Sequence, residues 1–563
     1  MNFLKRKFLP LLFFVPWSGT PAQLVLPDDE LGILWEYSRQ GSAQSVFTSS
    51  WPKPLREICP DPSSQTNGRD QTRLSRLCEQ KEHYPFLNFR ANLSSQTLNK
   101  RFPLGDSLDD FGNSSGSWLA YKVPAELGHS WRKLPPLLQM ELQHSFSRNT
   151  HAYFRFNFQR ALDAWHDDQF GFNLLFGASE LDINEPSLGY FTWNPSFFSF
   201  TVGRLPVHWS PSQKYGMTLS SSVPYHDGLL ASLKAPNVRY HYLISSFNPW
   251  LSGSPDAFDG DFPEGSEEYR QRHPAYPNPS GEDYNSRNRI YDKPIKTLIA
   301  HRLESCFKYL ELGITEQTMV GGKTPTLRDG NPFVAFHNNY GDGFSSLSVS
   351  VDGKVKLPGS INLLGELMLD EIKEDAEDEG AAPTTLGWMA GLQHFFQFNG
   401  MIFGHSFHAI MTDPFLYNHN RPYLTLYSRQ VIKSNFVSLQ TRPFIDTYII
   451  DYPLGYFRGP DALDLWYDLR GIMTDNFSCS LNAGFLRQGQ KSPYSLHEQT
   501  DISSPSGINE REWRLSFSGE YHLTDHLKTE LGYGFQYLEN VGHIADEDSF
   551  RQQVFGGFNW RWK

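Results

Sequence analysis

The chain has 563 residues and a formal net charge of −12, from 50 basic and 62 acidic side chains. Hydrophobic residues make up only 39% and aromatic residues 15%, and the mean hydropathy of −0.48 excludes a protein that crosses a membrane with helices. No segment is basic enough to indicate a nucleic-acid partner. The aromatic content suits the interfacial girdles of a membrane β-barrel better than a leucine-rich core.

Residues 1–22 have the composition of an export signal. Basic residues at 5–7 precede an apolar run at 8–17, and small residues suitable for cleavage follow at 20–22. The apolar run is shorter than a membrane-spanning helix. We therefore expect residues 1–22 to be removed and the mature chain to start near Gln23, beyond the inner membrane.

Residues 23–147 lack the period of barrel strands. The stretches 31–39 and 74–82 have helical spacing, and segments rich in Pro, Ser and Asn separate them. We expect a small, mainly α-helical segment outside the barrel wall, which either plugs the lumen or lies beneath it in the periplasm. The run 137–146 fits either a last helix or a lead-in strand.

The N-terminal segment also carries two of the four cysteines, Cys59 and Cys78. They flank a polar loop in a chain that is expected to reach an oxidising compartment, so a disulfide and a pair of free thiols are both open. Four cysteines are too few, in a chain of this length, for disulfides to be its main source of stability.

Residues 148–563 repeat a period of two residues, as half-buried strands do. Apolar side chains alternate with polar or small ones, and the last strand places on one face Val554, Gly556, Phe558, Trp560 and Trp562. About eighteen such runs, in a chain too polar for membrane helices, predict an all-β transmembrane β-barrel of antiparallel strands. A large soluble β-sandwich or propeller is the alternative, because it also needs alternating strands.

The connections between these runs are unequal in length. Short turns are expected at 358–359 and 524–526, whereas 250–295, 371–385 and 489–508 are long and polar. Bacterial outer-membrane barrels have short periplasmic turns and long outer loops. The pattern therefore predicts the cell outer membrane of a Gram-negative bacterium, with the long loops outside.

A series of short motifs occurs in the middle of the predicted barrel, over roughly 200–465. They lie at 202–209, 219–220, 224–227, 300–304, 312–316, 331–333, 337–339, 369–370 and 453–462. Their residue types and order resemble those of the Wzi capsule-assembly family of outer-membrane proteins. The residues that carry the resemblance, expected at the lumen, are Gly203, Arg204, Trp209, Asp227, His301, Arg302, Glu304, Glu316 and Asp370. The sequence departs from the family pattern at Ser210-Pro211, where glycine is usual, and at the C-terminal Lys563, where an aromatic residue is usual.

The resemblance implies an outer-membrane barrel that acts as a lectin and holds capsular or exopolysaccharide at the cell surface. The expected partners are surface polysaccharide and the lipid and lipopolysaccharide of the outer membrane, and we expect a monomer without a cofactor. A passive porin for small solutes is the alternative, because the same barrel would serve.

Enzymatic signatures do not occur in the sequence. It contains no nucleophile elbow, zinc-ligand helix or phosphate loop, so we do not expect an enzyme. The acid-rich stretch 370–379 lacks the spaced ligands of a preformed calcium loop. A solvated acidic loop is therefore favoured there, and no metal site is expected.

Arg302 and Glu304 have the same parity on one predicted strand, about 7 Å apart at a rise of roughly 3.4 Å per residue. Because charges cannot face lipid cheaply, we expect both to line the lumen and Leu303 to face the lipid. A structural ion-pair network is the favoured role of the two charges, and sugar contact is the alternative.

Arg204 breaks the expected alternation. The pattern of Phe200 and Val202 would direct Arg204 into lipid. Because Pro206 cannot donate a hydrogen bond to a sheet, we expect the strand to end here. Arg204 is then expected to turn inward at a rim, with Asp227 as its partner.

The long outer loops carry the candidates for sugar contact. Sugars are recognised by stacking on aromatic rings and by hydrogen bonds from planar polar groups. The residues of these types that lie in or beside the loops are Trp250, Tyr269, Arg270, Arg272, Tyr276, Tyr284 and Tyr340.

Overall fold

The computed structural model describes residues 24–25, 47–54, 58–59, 87–98, 120–122, 134–160, 170–175, 181–182, 184–248, 295–333, 345–371, 384–419, 424–433, 447–474, 476–493, 495, 502–524 and 526–562. The signal sequence predicted at 1–22 and the helices predicted at 31–39 and 74–82 lie outside these residues. Within the described ranges, no helix is long and apolar enough to cross a membrane.

The strands, in chain order, are β1 (Leu24–Val25), β2 (Ser50–Trp51), β3 (Lys53–Pro54), β4 (Leu87–Leu98), β5 (Ala120–Lys122), β6 (Leu138–Ser147), β7 (Thr150–Phe158), β8 (Phe170–Phe172), β9 (Leu188–Trp193), β10 (Phe198–Leu205), β11 (His208–Trp209), β12 (His226–Lys234), β13 (Val238–Phe247), β14 (Lys296–Cys306), β15 (Leu310–Gly321), β16 (Ser345–Leu357), β17 (Ile361–Glu371), β18 (Thr385–Phe398), β19 (Met401–Thr412), β20 (Tyr427–Lys433), β21 (Thr447–Pro453), β22 (Ala462–Ile472), β23 (Phe477–Gln488), β24 (Glu510–Thr524), β25 (Leu527–Glu539) and β26 (Ser549–Trp562). A 3₁₀ helix, Val541–His543, precedes β26.

Eighteen long strands form one closed antiparallel barrel. They are β4, β6, β7, β9, β10, β12–β19 and β22–β26, and the short β8 adds a pairing with β4. The last strand, β26, closes the barrel against β4, with Trp562 opposite Phe89 and Phe558 opposite Leu93. The prediction of an all-β barrel with about eighteen strands is therefore confirmed, and a two-sheet sandwich is excluded.

The wall begins earlier in the chain than the sequence predicts. Strands β4 and β6 lie within 23–147, the segment expected outside the wall, yet they pair with each other as wall strands. The outer face of β4 carries Phe89 and Leu93 but continues with Ser95 and Thr97, so small polar residues interrupt its apolar pattern. This weak alternation explains why the boundary at 148 was wrong.

The wall strands place apolar side chains outside and polar side chains inside. On β26, Val554, Phe558 and Trp560 are exposed on the outer face, whereas Gln553 is buried inside and hydrogen-bonds to Gln96 of β4. The exposed side chains form the apolar belt that a membrane barrel presents to lipid.

The two ends of the barrel differ in the length of their connections. One end has tight turns, which include 148–149, 358–360 and 399–400. Asn399 and Gly400 both have positive φ angles, 49° and 79°, as a type I′ hairpin turn requires. The other end has long connections, which include 206–225, 248–295 and 413–461. Because outer-membrane barrels have short turns on the periplasmic side, the end with tight turns is assigned to the periplasm.

Three parts of the chain fill much of the interior. The N-terminal insert (47–54) contains β2, which pairs with β11 of the inner connection (206–225). The third part is the cap (413–419, 424–433 and 447–461), in which β20 and β21 form a small sheet with β5. Buried side chains of the inner connection and the cap pack into one apolar cluster, which includes Met217, Leu219, Tyr417, Leu454 and Tyr456.

Candidate functional site

Charged side chains on the inner faces of strands β14, β15 and β16 form a hydrogen-bonded network inside the barrel. The fully buried guanidinium of Arg302 donates to both carboxylate oxygens of Asp352, at 2.5 and 3.0 Å, and to Thr315 at 3.0 Å. Its Nε also donates to Glu304 at 3.3 Å. Two parallel bonds from one guanidinium to one carboxylate fix its orientation as well as its charge. Arg302 and Glu304 therefore lie on the inner face, and Leu303 between them is 49% exposed on the outer face.

The same network fastens the N-terminal insert to the wall. Glu304 accepts hydrogen bonds from the Ser50 hydroxyl at 2.7 Å and from His241 Nε2 at 3.1 Å. Glu311 accepts from the backbone N–H groups of Thr48 and Ser49, each at 2.7 Å, and from the Thr48 hydroxyl at 2.8 Å. Buried carboxylates that accept several hydrogen bonds are satisfied without solvent. The insert is thus a fixed part of the interior.

The inner connection is held by carboxylates of other wall strands. Glu366 of β17 accepts from the Ser210 hydroxyl at 2.8 Å and from both the backbone and the hydroxyl of Thr218 at 3.1 Å. Asp468 of β22 accepts from Lys214 at 2.7 Å. The connection is therefore tied to two parts of the wall, β17 and β22, which are separated by β18 and β19.

His208 stabilises the fold of the inner connection. Its Nδ1 accepts from the backbone N–H of Ser221 at 3.1 Å, so Nε2 carries the proton and donates to the Ser212 carbonyl at 2.6 Å. Burial lowers the pKa of His208 to about 4, and the hydrogen bond to Ser212 offsets only part of this effect. The imidazole is therefore neutral at neutral pH.

The cap packs directly on the inner connection. Asp370 accepts from the backbone N–H of Tyr417 at 2.7 Å, and the Tyr417 hydroxyl donates to the Met217 carbonyl at 2.7 Å. A Cβ at Gly455 would lie 1.9 Å from that same carbonyl, so only glycine permits this approach. The contact leaves no room for a channel between the two elements at this point.

Asp461 joins the cap to the next long connection. The buried carboxylate accepts from the backbone N–H of Ser506 at 2.8 Å and from that of Lys491 at 2.9 Å. The residue itself adopts a positive φ of 61°, which a non-glycine residue rarely does. Asp461 therefore fixes the shape of the described cap at the end with long connections.

An aromatic and charged cluster lies where β22 and β24 meet the cap. Asp464 accepts from Arg514 at 2.8 and 3.0 Å, from Trp466 Nε1 at 2.6 Å and from the Tyr456 hydroxyl. The Arg514 guanidinium lies 3.7 Å from the centroid of the Trp466 ring, and Lys214 lies 4.8 Å from it. Both cations contact the indole, so the Trp466 ring already makes two cation–π contacts within the protein.

The space left beside the insert is small. A cavity of about 20 Å³ lies between Trp51 and Lys53 of the insert and Thr201, Leu230 and His241 of the wall. This volume suffices for about one water molecule and not for a sugar ring. Among the described residues, no group of three or more His, Cys, Asp or Glu side chains is arranged to hold a metal ion.

Several of the predicted motif residues take part in filling the interior. Trp209 is buried with its ring 5.9 Å from that of His241, and Asp370 and Glu304 bind the cap and the insert as described above. Gly203 adopts a φ of 126° with no space for a side chain, because a Cβ would lie 2.2 Å from the Gly189 carbonyl. These motifs therefore mark contacts that pack the barrel.

The prediction for Arg204 is correct in its partner and wrong in its direction. Arg204 forms a bidentate ion pair with Asp227 at 2.8 and 2.9 Å, and its guanidinium lies 4.0 Å from the ring centroid of Tyr225. Strand β10 continues to Leu205, so Arg204 keeps the parity of exposed Val202, and the ion pair is solvent-accessible. Pro206 follows Leu205, the last residue of β10, so the strand ends one residue after Arg204.

His301 and Glu316 do not lie at the lumen, where they were predicted. They are opposite each other on β14 and β15, with the parity of the exposed residues Leu303 and Ile314, and so lie on the outer face. Arg302 is the inward neighbour of His301, and two adjacent residues of a strand cannot share a face.

The predicted sugar contacts fall on parts of the chain that the structure does not describe. Outside the described residues lie Trp250, Tyr269, Arg270, Arg272, Tyr276, Tyr284 and Tyr340. Cys59 is buried and disulfide-bonded, whereas Cys306 and Cys479 form no disulfide. Cys78, the predicted partner of Cys59, also lies outside the described residues, as does most of the acidic stretch 370–379.

The sequence analysis missed several residues that hold the interior together. They are Glu311, Asp352, Asp464 and Arg514. Each is a charged residue at an inward position of a strand whose outward neighbours are apolar. Such charges need partners inside the barrel, and that rule would have singled them out without naming the partner.

No protein-family model and no curated protein sequence matches the chain. Among solved structures, the chain is similar to Wzi of Escherichia coli, described as an outer-membrane protein involved in group 1 capsule assembly and as a carbohydrate-binding β-barrel. The TM-score is 0.53 at 13% identity, over 96% of this chain and 99% of Wzi. The chain has the fold of an outer-membrane β-barrel. At this identity the likeness to Wzi shows the fold alone.

Outer-membrane channels give lower scores. Pseudomonas aeruginosa OprD has a TM-score of 0.38 at 6% identity, over 84% of this chain and 94% of that protein. OccK3 of the same organism has a TM-score of 0.38 at 9% identity, over 84% and 95%. These values are too low to support an argument about channel function.

Proposed function

We propose that this protein is a Wzi-like outer-membrane lectin, which binds capsular or exopolysaccharide and holds it at the cell surface. The observation that carries the proposal is the filled interior, in which the insert, the inner connection and the cap are each hydrogen-bonded to wall carboxylates. A porin needs a water-filled lumen. A barrel packed in this way is better suited to display a surface than to conduct solutes.

The end with long connections is the surface that would meet polysaccharide. The cap and the connection 489–509 are joined there through Asp461, which gives the barrel a rigid base at this end. The connection 248–295 leaves the wall at the same end and carries the aromatic and arginine residues, Trp250 to Tyr284, that suit sugar rings. These contacts remain proposals.

A long polymer is held by many weak contacts. Each sugar unit that stacks on one ring binds weakly, but several contacts on one chain raise the effective concentration of the next unit. No deep pocket is then required. The protein is proposed to act as a monomer, by binding and without catalysis, in contact with outer-membrane lipid and lipopolysaccharide.

Two measurements on one purified protein test the proposal. The first is binding of the host's own surface polysaccharide, and the second is single-channel conductance in a planar bilayer. A variant with 249–294 replaced by a short Gly/Ser linker keeps β13 and β14 intact and should lose most of the polysaccharide binding. Tyr269→Ala is the matched single-residue control and should lose little.

Either of two results would overturn the proposal. One is polysaccharide binding that is absent from the intact protein or unchanged in the linker variant. The other is a large steady conductance of the intact protein together with loss of solute uptake, but not of surface polysaccharide, in cells that lack it. The second result would establish the porin alternative.

A further inference from the structure

The connection after β15 folds over the outside of the barrel wall. On β13, His241 faces the interior, where it contacts Glu304, so Tyr240 and Tyr242 face outward. The Tyr242 hydroxyl donates to the Gly330 carbonyl at 2.7 Å, and the Tyr240 hydroxyl donates to the Pro332 carbonyl. Residues 322–333, here called the strap, therefore pass from the end of β15 across to the outer face of β13.

The strap covers a polar row on a surface that is otherwise apolar. Tyr242, His301 and Glu316 lie directly opposite one another on β13, β14 and β15. His301 and Glu316 are each only 9% exposed, whereas Leu303 and Ile314, the next outward residues, are 49% and 52% exposed. A polar side chain on the lipid face is costly unless protein groups satisfy it. The carbonyl groups of the strap supply acceptors for the tyrosines of this patch.

Apolar packing beside this row adds to the cover. Ile299 and Val320 have outward parity but no exposed surface, and they form a small cluster with Tyr242. On a bare barrel, such positions would face lipid. Their complete burial shows that other parts of the protein cover this part of the outer face.

The strap has a fixed turn at its centre. Asp329 accepts from the backbone N–H and the hydroxyl of Thr326, at 2.8 and 2.9 Å, and pairs with Lys323 at 3.2 Å. Burial alone would raise the pKa of Asp329, but the bonds from Thr326 and the charge of Lys323 lower it overall. Asp329 is thus a stable anion that holds the turn, with Leu327 on its exposed side.

The strap presents two exposed apolar side chains away from the wall. Leu327 is 96% exposed and Phe333 is 84% exposed, more than any other large hydrophobic residue that the structure describes. Water would be an unfavourable environment for both. Phe333 follows Pro332, whose carbonyl group is bonded to Tyr240, and Tyr240 is directly opposite Leu303 of the lipid-facing belt.

We propose that the strap is a lipid-contact element, which inserts Leu327 and Phe333 into the acyl chains around the barrel. The position of Phe333 beside Leu303 of the lipid-facing belt selects lipid as the occupant. The strap thereby covers a polar section of the wall and directs Leu327 and Phe333 outward, with Arg328 exposed beside Leu327. This inference concerns the outer face alone and is independent of what the protein binds at the cell surface.

Spin labels on the full-length protein in phospholipid vesicles test the proposal. Cysteine variants Leu327→Cys and Phe333→Cys are made in a Cys306→Ala, Cys479→Ala background, which leaves the disulfide-bonded Cys59 unchanged. Leu531→Cys, on the exposed outer face of β25, is the lipid control. Ile544→Cys, exposed in the connection between β25 and β26, is the water control. Collisions of each label with dissolved oxygen and with a water-soluble nickel complex are measured.

The labels at 327 and 333 should collide mainly with oxygen, like the label at 531. Collisions mainly with the nickel complex, like those of the label at 544, would place the strap in water and overturn the proposal. Protection from both reagents would also overturn it, and would indicate a second copy of the chain against the strap. Only labelled variants with the same folded fraction as the parent in detergent at room temperature are used for the comparisons.

Discussion

The guanidinium of Arg302 lies in the space that a side chain at Gly313 would occupy. A Cβ at Gly313 would be 2.3 Å from Nη2 of Arg302, although the two residues are on neighbouring strands and are not directly opposite each other. The absence of a side chain on β15 therefore lets Arg302 reach Asp352 on β16. The central ion pair depends on a glycine two residues from Thr315, which the same guanidinium also contacts.

Gly313→Ala should therefore destabilise the barrel, because the methyl group displaces the Arg302 guanidinium. We expect a loss of about 1–3 kcal/mol in the free energy of unfolding, as for other overpacked sites. Gly365→Ala is the control, since a Cβ there meets no atom closer than 4.0 Å. Urea unfolding from vesicles measures both, and equal effects of the two substitutions would contradict this account.

Asp352→Asn should cost more, because it leaves the buried charge of Arg302 without its main partner. Loss of one member of a buried ion pair typically costs about 3–5 kcal/mol. The comparison is Glu520→Gln, which breaks the partly exposed pair with Lys528 and should cost less than about 1 kcal/mol. A small effect at 352 would mean that Glu304 alone satisfies Arg302.

Leu303→Lys should hinder folding into bilayers, since Leu303 is exposed on the outer face between two inward charges. A lysine on the lipid face costs about 2–4 kcal/mol near the midplane. Ile544→Lys, in an outer connection, should have little effect. The folding yield in vesicles measures both substitutions, and normal folding of the lysine variant at 303 would show that this part of the wall is not in lipid.

Acid should loosen the inner connection through His208. Burial lowers its pKa to about 4, below the usual value of 6.5, so the neutral form is favoured by folding. The contribution of neutral His208 to the free energy of unfolding is complete above pH 6.5. It is lost as the pH falls toward about 4, by about 3 kcal/mol at most. The protection of amides in 206–225, measured relative to their intrinsic exchange rates, should therefore decrease between pH 7 and pH 5.

His208→Gln is the matched control for that experiment. The amide keeps one donor and one acceptor but does not titrate in this range. Exchange in this variant should depend on pH only as the chemistry of amide exchange requires. If the variant keeps the additional acid sensitivity of the parent, another group controls it.

Most of the wall was predictable from the sequence and the filling of the interior was not. Alternation is a local property, so the wall strands after residue 148 and the outward direction of Leu303 follow from neighbouring residues, whereas the interrupted alternation of β4 did not reveal a wall strand. The filling depends on contacts such as that between Thr48 and Glu311, which are 263 residues apart. Glu311 could be predicted to need a partner but not which one. Local pattern also left the face of Arg204 ambiguous, because its partner comes from the next strand.

Electrical recordings test the last consequence of this filling. The intact protein should show no steady conductance in planar bilayers, because Glu366 holds Ser210 and Thr218 of the inner connection against the wall. Glu366→Ala removes all of these acceptor atoms while leaving the outer face unchanged. Intermittent openings are therefore expected in this variant.

Glu530→Ala is the control for that recording. Glu530 is an inward carboxylate of β25, with the parity of the buried Gln536, and no hydrogen bond joins it to the inner connection among the described residues. Its removal should leave the barrel silent, since the inner connection keeps its attachment to Glu366. Equal openings in both variants would show that loss of any interior charge disturbs the barrel. Silence of Glu366→Ala would mean that the contacts of Lys214 and the cap suffice to keep the connection in place.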